Sequence, residues 1–350
     1  MKSYLKEILY DNHALPITNQ KINTSNFVLL DFYNHYLKNI KYFSFGEKNP
    51  NKKFYVINRT PGAGLFSNVT YVLNQIKLCK TLGFIPIIDM QNFPTIYNEK
   101  KKIEKTYNSW NYFFKPLNKV SLNQVYKSKN VFFSSGQFES FMPVDMTERK
   151  ISSFIKYIKI KKKYSLEAEK FIKKNIFKND KVLGVHFRGS TYKVARRHAF
   201  PSTKEIMLEN VLKLMDKFKY TKVFLVTEEK EYLNYFKTQL GEKCIYTNQY
   251  RMTNQDSFKI YPRQFHRFKL GKEILIDTMI LSKCAGLTFI KSNVISAAIT
   301  ISKKKMKLHE IFLGYNSRNK FISKWLWYLK YMLPSNFGGL KIIDKKSYLS

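Results

Sequence analysis

The sequence predicts an α/β protein built from two Rossmann-like halves. A strand, a glycine loop, a helix and a second strand follow one another near residue 55, and strand-like and helix-like patterns alternate again from about residue 165 to 301. Such alternation is typical of parallel sheets with helices packed on their faces. With 350 residues, 44% of them hydrophobic, the chain is long enough to bury two cores of ordinary size.

The first half begins with a βαβ unit. Residues 53–58 have the pattern of a buried strand, and residues 61–68 form a glycine loop. Apolar residues at helical spacing then run over residues 69–82, with Gly83 as the stop. Residues 84–89 have the pattern of the next strand. This order predicts a parallel strand pair joined by a helix.

The second half repeats this alternation. Ser202 and Glu205 have the spacing of a helix-capping box and predict a helix that ends near Phe218. The other predicted helices cover residues 166–177, 232–240, 271–282 and 293–301, and the predicted strands cover residues 181–187, 222–226 and 286–290.

We expect the two halves to join around residues 145–165. The predicted domains are an N-terminal, acceptor-side domain over residues 1–150, a C-terminal, donor-binding domain over residues 165–305, and a tail over residues 306–350. Residues 325–333 of the tail are rich in aromatic and basic residues. They predict either a segment that lies in a membrane interface or a final helix packed across the two domains.

Cysteine usage and the terminal sequence favour a cytoplasmic protein. The three cysteines, Cys79, Cys244 and Cys284, are far apart and odd in number, so neither a metal site nor a disulfide framework is predicted. The first residues contain no long apolar core, and no window is long enough for a membrane span.

The formal net charge of +37 bears on possible partners. Most of the 62 basic residues are lysines, and they are scattered along the chain, so we expect no nucleic-acid partner. The abundance of Asn, Ile, Tyr and Phe is typical of an AT-rich genome, which accounts for part of the lysine excess. The remainder predicts attraction to an anionic membrane surface or an acidic polymer.

One strand ends in residues that suit an anion site. The apolar run from Lys181 leads into His186, Arg188 and Gly189, followed by two hydroxyl residues. Residues after a parallel strand lie at the carboxyl edge of the sheet, where open α/β folds bind ligands. An arginine beside a glycine there suits a phosphate held through two hydrogen bonds. The alternative is a loop arginine that only meets solvent.

Several well-known catalytic patterns do not occur. The loop Gly62-Ala63-Gly64 lacks the third glycine of a dinucleotide fingerprint, because Ser67 occupies that position. No Walker lysine and no D-x-D pair is present, and Asp89 has no second carboxylate at a useful spacing. No serine lies in a G-x-S-x-G elbow. Metal-dependent transfer and serine hydrolysis are therefore disfavoured.

Four segments occur in an order that matches a known family. They are residues 62–68, 109–117, 185–189, and 273–282 running into 291–293. The series resembles the GDP-fucose transferases that share an H-x-R motif, namely the α1,6-fucosyltransferases of the nodulation and N-glycan core types, with the protein O-fucosyltransferases as relatives. The resemblance covers about residues 54–302 and implies a GT-B fold of two facing Rossmann-like domains.

The resemblance also implies roles for individual residues. Arg188 matches the arginine that grips the donor pyrophosphate, and Asp277 matches an acid in the helix before the last strand. The remaining matches are Ser292 and Asn293, near the donor phosphates and nucleoside, and the glycine-loop residues Gly62, Gly64 and Asn68, which approach the donor across the cleft.

Sugar transfer without a metal ion would need residues of the kinds that these matches supply. A departing diphosphate must then be stabilised by protein charges and N–H donors. Arg188, the backbone at Gly189, the Ser292 hydroxyl and the start of the Asn293 helix would supply them. His186 is either a donor contact or, because strand neighbours alternate faces, a side chain turned into the fold. For Asp277 the alternative is a structural acid paired with the backbone or an arginine.

The sequence departs from the family where the acceptor would be activated. Gly189 replaces a second arginine, Thr191 replaces an acid, and Arg196, beside Arg197, occupies the place of a catalytic glutamate. His198 is then the nearest candidate base, because an imidazole titrates near neutrality. Glu228 and Glu229, which follow a strand, are the alternatives.

The sequence therefore predicts an inverting glycosyltransferase that moves fucose from GDP-fucose to a bacterial surface glycan or a lipid-linked glycan, without metal or cofactor. It would act in the cytoplasm, with possible attachment to the inner face of the cell membrane. One alternative is transfer of another GDP-linked sugar, a heptose or deoxyhexose, onto capsule or lipooligosaccharide. The alternative from another class is a non-catalytic, basic polyanion-binding protein.

Overall fold

The computed structural model of the chain describes residues 40–134, 157–189, 192–252, 256–302, 304–334 and 337–341. These residues form two compact units. The N-terminal unit extends to Lys162 and includes Phe265–Lys272, and the C-terminal unit holds Lys163–Gln264 and the chain from Glu273 onward. Each unit is built on a sheet with parallel strands, which confirms the predicted α/β architecture. Most of the predicted junction at residues 145–165 lies outside the described residues, and the domain limits stay predictions.

The N-terminal sheet has four strands in the order β1-β4-β2-β3. β3 and β4 run parallel to β2, whereas β1 is antiparallel to β4. The strands are β1 (Lys41–Phe43), β2 (Lys48–Ile57), β3 (Ile85–Ile88) and β4 (Ser128–Phe133). The helices of this unit are α1 (Leu65–Thr81), α2 (Trp110–Phe113) and α3 (Leu122–Val125).

Burial explains why β2 is the centre of this sheet. Its last four residues, from Phe54 to Ile57, are buried, because β3 and β4 pair with them on either side. Phe54 and Val56 point into a cluster with residues of β3 and β4. On the other face, the Tyr55 hydroxyl donates to Gln75 of α1 at 2.6 Å. The predicted βαβ unit is therefore confirmed.

The C-terminal sheet has five strands in the order β7-β6-β5-β8-β9, and all neighbours are parallel. The strands are β5 (Val182–His186), β6 (Lys222–Val226), β7 (Cys244–Ile245), β8 (Gly286–Phe289) and β9 (Lys307–Glu310). The helices are α4 (Lys162–Asn175), α5 (Lys204–Phe218), α6 (Lys230–Leu240), α7 (His266–Leu281), α8 (Asn293–Ile301) and α9 (Ile322–Met332). Short 3₁₀ turns lie at Gly241–Lys243 and Ser257–Lys259.

Strand β5 is buried on both faces, as its continuous apolar run predicts. Leu183 and Val185 pack into a cluster with α5 and α6, whereas Val182 packs into a second cluster with α7 and α8. Gly184 has no room for a side chain, because a Cβ there would press against Leu281 and Leu287. The glycine therefore lets α7 and β8 pack closely against the strand.

Several predicted helix starts differ from the structure; α1 and α4, for example, each begin four residues earlier than predicted. Thr203, rather than Ser202, caps α5, because its side chain accepts from the Ile206 N–H. Helix α7 begins at His266, five residues earlier than its apolar pattern indicates. The added turns are stabilised inside the N-terminal unit, where the Phe268 ring stacks on Phe113 at 5.8 Å and the Phe268 N–H donates to Glu99. Contacts between residues far apart in sequence leave no trace in a local pattern.

The predicted aromatic tail forms helix α9. One face of the helix packs on the C-terminal unit through Trp327, in a cluster with Phe200, Ile206 and Leu340. The Trp327 indole N–H donates to the Pro201 carbonyl at 2.8 Å. In contrast, Trp325 is 68% exposed. No helix among the described residues has the length and apolar character to cross a membrane.

Candidate functional site

The candidate site lies at the carboxyl edge of the C-terminal sheet. From β5 the chain continues to β6 and β7 on one side of the strand, and then returns to add β8 and β9 on the other. The carboxyl ends of β5 and β8 are therefore neighbours at which the direction of strand order reverses. Open parallel sheets bind ligands at such a switch point. Arg188 follows β5 there, and Ser292 follows β8.

A hydrogen bond ties these two strand ends together. His186, the last residue of β5, is buried, and its Nδ1 lies 3.3 Å from the Ser292 hydroxyl oxygen. The same hydroxyl accepts from the Ile295 N–H at 3.3 Å and so caps α8. His186 thus fixes the start of α8, including Asn293, beside the end of β5. A helix start presents free N–H groups and a positive dipole end, both of which favour anions.

The His186 ring carries no charge at neutral pH. Burial, and secondarily the positive charge of Arg188, lower the pKa of His186 to about 3. The structure buries this side chain and places its Nδ1 beside the Ser292 hydroxyl that caps α8.

Arg188 is partly exposed and is oriented by an aromatic ring. Its guanidinium carbon lies 3.3 Å from the centroid of the Tyr192 ring. Stacking of this kind leaves the in-plane N–H groups of arginine available for hydrogen bonds. The local sequence gives no signal for the role of Tyr192, because the residue lies on an irregular segment beyond the strand.

His198 lies beside the same tyrosine. Its ring meets that of Tyr192 edge-on, with centroids 4.9 Å apart. Partial desolvation, and then the charge of Arg188, lower the pKa of His198 below its usual range. The exposed imidazole is consequently neutral at neutral pH and able to accept a proton.

Gly189 packs closely against the side chain of Glu229. A Cβ at position 189 would collide with the side chain of Glu229, which is buried at the start of α6. The Glu229 side chain occupies the space beside Gly189. Glu229 is thus packed under the arginine loop, whereas its neighbour Glu228 is exposed. Thr191 lies outside the described residues.

Asp277 is fully buried in α7 and supports a different loop. Its Oδ1 accepts from the Thr247 hydroxyl at 2.6 Å, just after β7. Burial raises the pKa of Asp277 to about 7, although the Thr247 hydrogen bond and the charge of Arg251 act in the opposite direction. Arg251 donates to the carbonyls of Thr227 and Thr247. Asp277 therefore helps to hold the segment after β7 against the segment after β6.

The glycine loop belongs to the N-terminal unit. Gly62 has a φ of +73°, and a Cβ there would lie 2.9 Å from the Asn68 Oδ1. The Asn68 Oδ1 accepts from the Ala63 N–H at 3.0 Å, so the loop is closed over the start of α1. Gly64 is exposed and caps α1 without a side chain, and a Cβ there would meet no atom within 4 Å. The loop offers backbone groups and open space.

Sequence reasoning missed a buried arginine beside this loop. Arg59 follows β2 and is 1% exposed. Its guanidinium donates to the carbonyl and the hydroxyl of Ser67 in the first turn of α1, and lies 5.0 Å from the centroid of the Tyr71 ring. Its position, two residues after a buried strand, is the same as that of Arg188 after β5, and this repetition is a signal that the sequence does contain.

The structure brings together His186, Arg188, Gly189, Ser292, Asn293 and His198 at the carboxyl edge of one sheet. Asp277 supports the same unit from α7, and Gly62, Gly64 and Asn68 form a loop of the other unit. In the parts of the chain that the structure describes, no cluster of three or more His, Cys, Asp or Glu side chains could hold a metal ion. What the site can offer an anionic ligand is one guanidinium, a helix start and hydroxyl groups.

Comparison with known proteins identifies similar solved structures. No family model and no curated protein matches the chain. The chain is similar to NodZ alpha-1,6-fucosyltransferase soaked with GDP-fucose, at 14% identity over 72% of this chain and 93% of that one, with a TM-score of 0.45. Fucosyltransferase NodZ from Bradyrhizobium is 16% identical over 72% of this chain and 94% of that one, with a TM-score of 0.44. POFUT1 in complex with GDP is 11% identical over 75% of this chain and 99% of that one, with a TM-score of 0.44.

Proposed function

We propose that the protein is a glycosyltransferase that uses a GDP-linked sugar, with GDP-fucose as the donor. The observation that carries the proposal is the convergence of Arg188 and the Ser292-capped start of α8 at the switch point of the C-terminal sheet, tied by the His186–Ser292 hydrogen bond. A diphosphate needs a bidentate cation and free N–H donors, and this edge supplies both. The ordered motif series supports guanine as the nucleobase and fucose as the sugar.

In the proposed reaction an acceptor hydroxyl attacks the anomeric carbon of the donor sugar. The new C–O bond forms as the bond between the anomeric carbon and the β-phosphate oxygen breaks, and GDP leaves with the electrons of that bond. Arg188 and the N–H groups at the start of α8 stabilise the charge that develops on the departing diphosphate. Attack opposite the leaving group inverts the anomeric centre, and no metal is required.

His198 is the proposed acceptor of the proton. Its lowered pKa keeps the imidazole neutral at neutral pH, and the Tyr192 ring places it beside the arginine loop. Glu229 is the weaker candidate, because its side chain is buried against Gly189. His198→Gln should therefore lower the turnover number and flatten its acid limb, with donor affinity kept.

The proposed acceptor is a bacterial surface glycan or a lipid-linked glycan, and the proposed location is the cytoplasm, at the inner face of the cell membrane. The net charge of +37 supports an anionic surface as surroundings. A second candidate is transfer of another GDP-linked sugar, such as a heptose or deoxyhexose. It is favoured by Gly189, which stands where the fucosyltransferase pattern has a second arginine and which packs against Glu229.

A donor panel tests the proposal. Isothermal titration with GDP, GDP-fucose, GDP-mannose and UDP should show binding of the guanine nucleotides and none of UDP, and hydrolysis or transfer should be fastest with GDP-fucose. Preference for another GDP-sugar would select the second candidate. Binding of DNA or heparin without any binding of GDP would instead establish the polyanion-binding alternative.

A further inference from the structure

Helix α9 carries an apolar face that the described chain leaves exposed. Trp325 is 68% exposed and Met332 is 65% exposed, which is unusual for side chains of this size. We define the α9 apolar face by its exposed members Phe321, Ile322, Trp325, Tyr328, Leu329, Met332 and Leu333.

The members of this face form one stripe. At the 100° turn of an α-helix, the five that lie within α9, from Ile322 to Met332, fall in an arc of about 120°. Trp327 and Ser323 lie outside this arc and are buried. The helix is therefore apolar on two sides, and only one of them is covered by the C-terminal unit.

The exposed side is held in place by the buried one. The Trp327 ring packs in a cluster with Phe200 and Ile206, and its indole N–H donates to the Pro201 carbonyl. At the start of the helix, the side-chain amide of Asn316 donates to the Ser323 carbonyl at 2.9 Å. Because these contacts fix the rotation of the helix, the α9 apolar face is a defined surface.

The stretch of sequence that carries this face is basic. No acidic residue occurs between Glu310 and Asp344, whereas Arg318, Lys320 and Lys324 lie at or near the start of α9 and are exposed. Two further exposed aromatic side chains, Phe312 and Tyr315, precede the helix. Aromatic rings together with lysine and arginine are typical of helices that lie in the interface of an anionic bilayer.

We propose that the α9 apolar face inserts into the headgroup region of a membrane that contains anionic lipid. The aromatic side chains would enter the interface while Lys320, Lys324 and Arg318 contact lipid phosphates. A second copy of the chain fits less well, because two such faces would bring like charges together. This proposal is independent of the sugar transferred, since no donor or acceptor takes part in docking.

Vesicle co-sedimentation tests the proposal with the full-length protein. Vesicles of phosphatidylcholine mixed with phosphatidylglycerol should bind the wild type, and vesicles of phosphatidylcholine alone should bind it much more weakly. Trp325→Ser combined with Met332→Ser should weaken binding at least about tenfold, because two large apolar side chains no longer enter the interface. Phe177→Ser, at a side chain that is also 68% exposed, is the matched control and should bind as the wild type does.

A second pair of variants tests the charges. Lys320→Gln with Lys324→Gln should weaken binding about tenfold or more at low salt, since each lysine near an anionic surface contributes about fivefold. Lys173→Gln with Lys174→Gln removes the same charge from the exposed end of α4 and should have a smaller effect.

Three outcomes would overturn the proposal. The first is that the wild type does not bind the vesicles, and the second is that the α9 variants and their controls lose vesicle binding equally. The third is a dimer in sedimentation velocity, without vesicles, that the Trp325 and Met332 substitutions dissociate. GDP titration of the same variants should match the wild type, so failure of docking and failure of the transferase assignment remain distinguishable.

Discussion

The two units each place an arginine two residues beyond a central parallel strand, and they use it in opposite ways. Arg59, after β2, is 1% exposed and donates to the carbonyl and hydroxyl of Ser67. Arg188, after β5, is partly exposed and stacks on Tyr192. The first arginine supports its own glycine loop, whereas the second has N–H groups to offer a ligand.

This difference shows how the same local pattern acquires different functions. At the edge of the N-terminal sheet, the glycine loop after β2 leads into α1, so that Ser67 comes within reach of Arg59. At the edge of the C-terminal sheet, the residues after β5 leave in an irregular segment, and the nearest helix start is that of α8, capped by Ser292. An anion can enter between an arginine and a helix start only when the arginine is not already bound to its own helix.

The largest expected effect on stability distinguishes the two arginines. Arg59→Met should lower the free energy of unfolding by about 2–3 kcal/mol, because hydrogen bonds to Ser67 are lost inside a packed region. Arg188→Met should change it by less than about 0.5 kcal/mol, since the side chain is partly exposed. Urea denaturation of both variants measures the difference. Equal destabilisation would remove the distinction.

The pH dependence of stability tests whether Arg188 has a neutral neighbour. His186 has a pKa of about 3 in the folded protein and 6.5 when unfolded, so the unfolded state binds the extra proton between these values. Stability should therefore fall as the pH drops below 6.5, by about 2 kcal/mol between pH 7 and pH 5 from this group. His186→Asn should show a smaller fall over that interval in thermal unfolding.

Asp277 should contribute a pH dependence of stability opposite to that of His186. Its pKa is raised to about 7 from 3.8, so the folded state holds the extra proton between these values and stability is lost as the pH rises through them. The stability of Asp277→Asn relative to wild type should thus increase from pH 5 to pH 8. A variant that follows the wild-type profile would show that this acid is already ionised in the fold.

The two glycine positions near the arginines should respond differently to a methyl group. Gly189→Ala should destabilise the C-terminal unit by about 1–2 kcal/mol and weaken GDP binding, because Glu229 must move. Gly64→Ala is the matched control for stability without GDP, since its Cβ would meet no atom within 4 Å. Thermal shift with and without GDP measures both effects. Similar losses of thermal stability in the two variants would contradict the close packing of Glu229 against Gly189.

The smallest effect is expected at the ring under Arg188. Tyr192→Leu removes the stacking partner of the guanidinium and should weaken GDP binding about three- to fivefold, corresponding to about 1 kcal/mol. Stability should change little. An unchanged affinity for GDP would mean that the Tyr192 ring does not orient Arg188.

The sequence predicted five of the nine described strands and the longer helices, because apolar runs and helical spacing are local patterns. The strands β1, β4, β7 and β9 were not predicted. The sequence placed Arg188 and Ser292 at strand ends, which is sufficient to bring them to one sheet edge once the order of strands is known. It did not indicate that Glu229 fills the space beside Gly189, or that Phe268 extends α7 by packing on Phe113. These contacts join residues distant in sequence, and only packing determines them. Arg59 was overlooked although its spacing repeats that of Arg188.

Isothermal titration of GDP into wild type and Arg188→Ala tests the central claim most directly. The wild type should bind, and the variant should lose about 2–4 kcal/mol of binding free energy, a roughly 30- to 1000-fold weaker affinity, at unchanged stability. Arg188→Lys should recover part of the loss, because a lysine supplies the charge but not the two parallel hydrogen bonds. GDP affinity in a folded Arg188→Ala variant equal to that of the wild type would contradict the account.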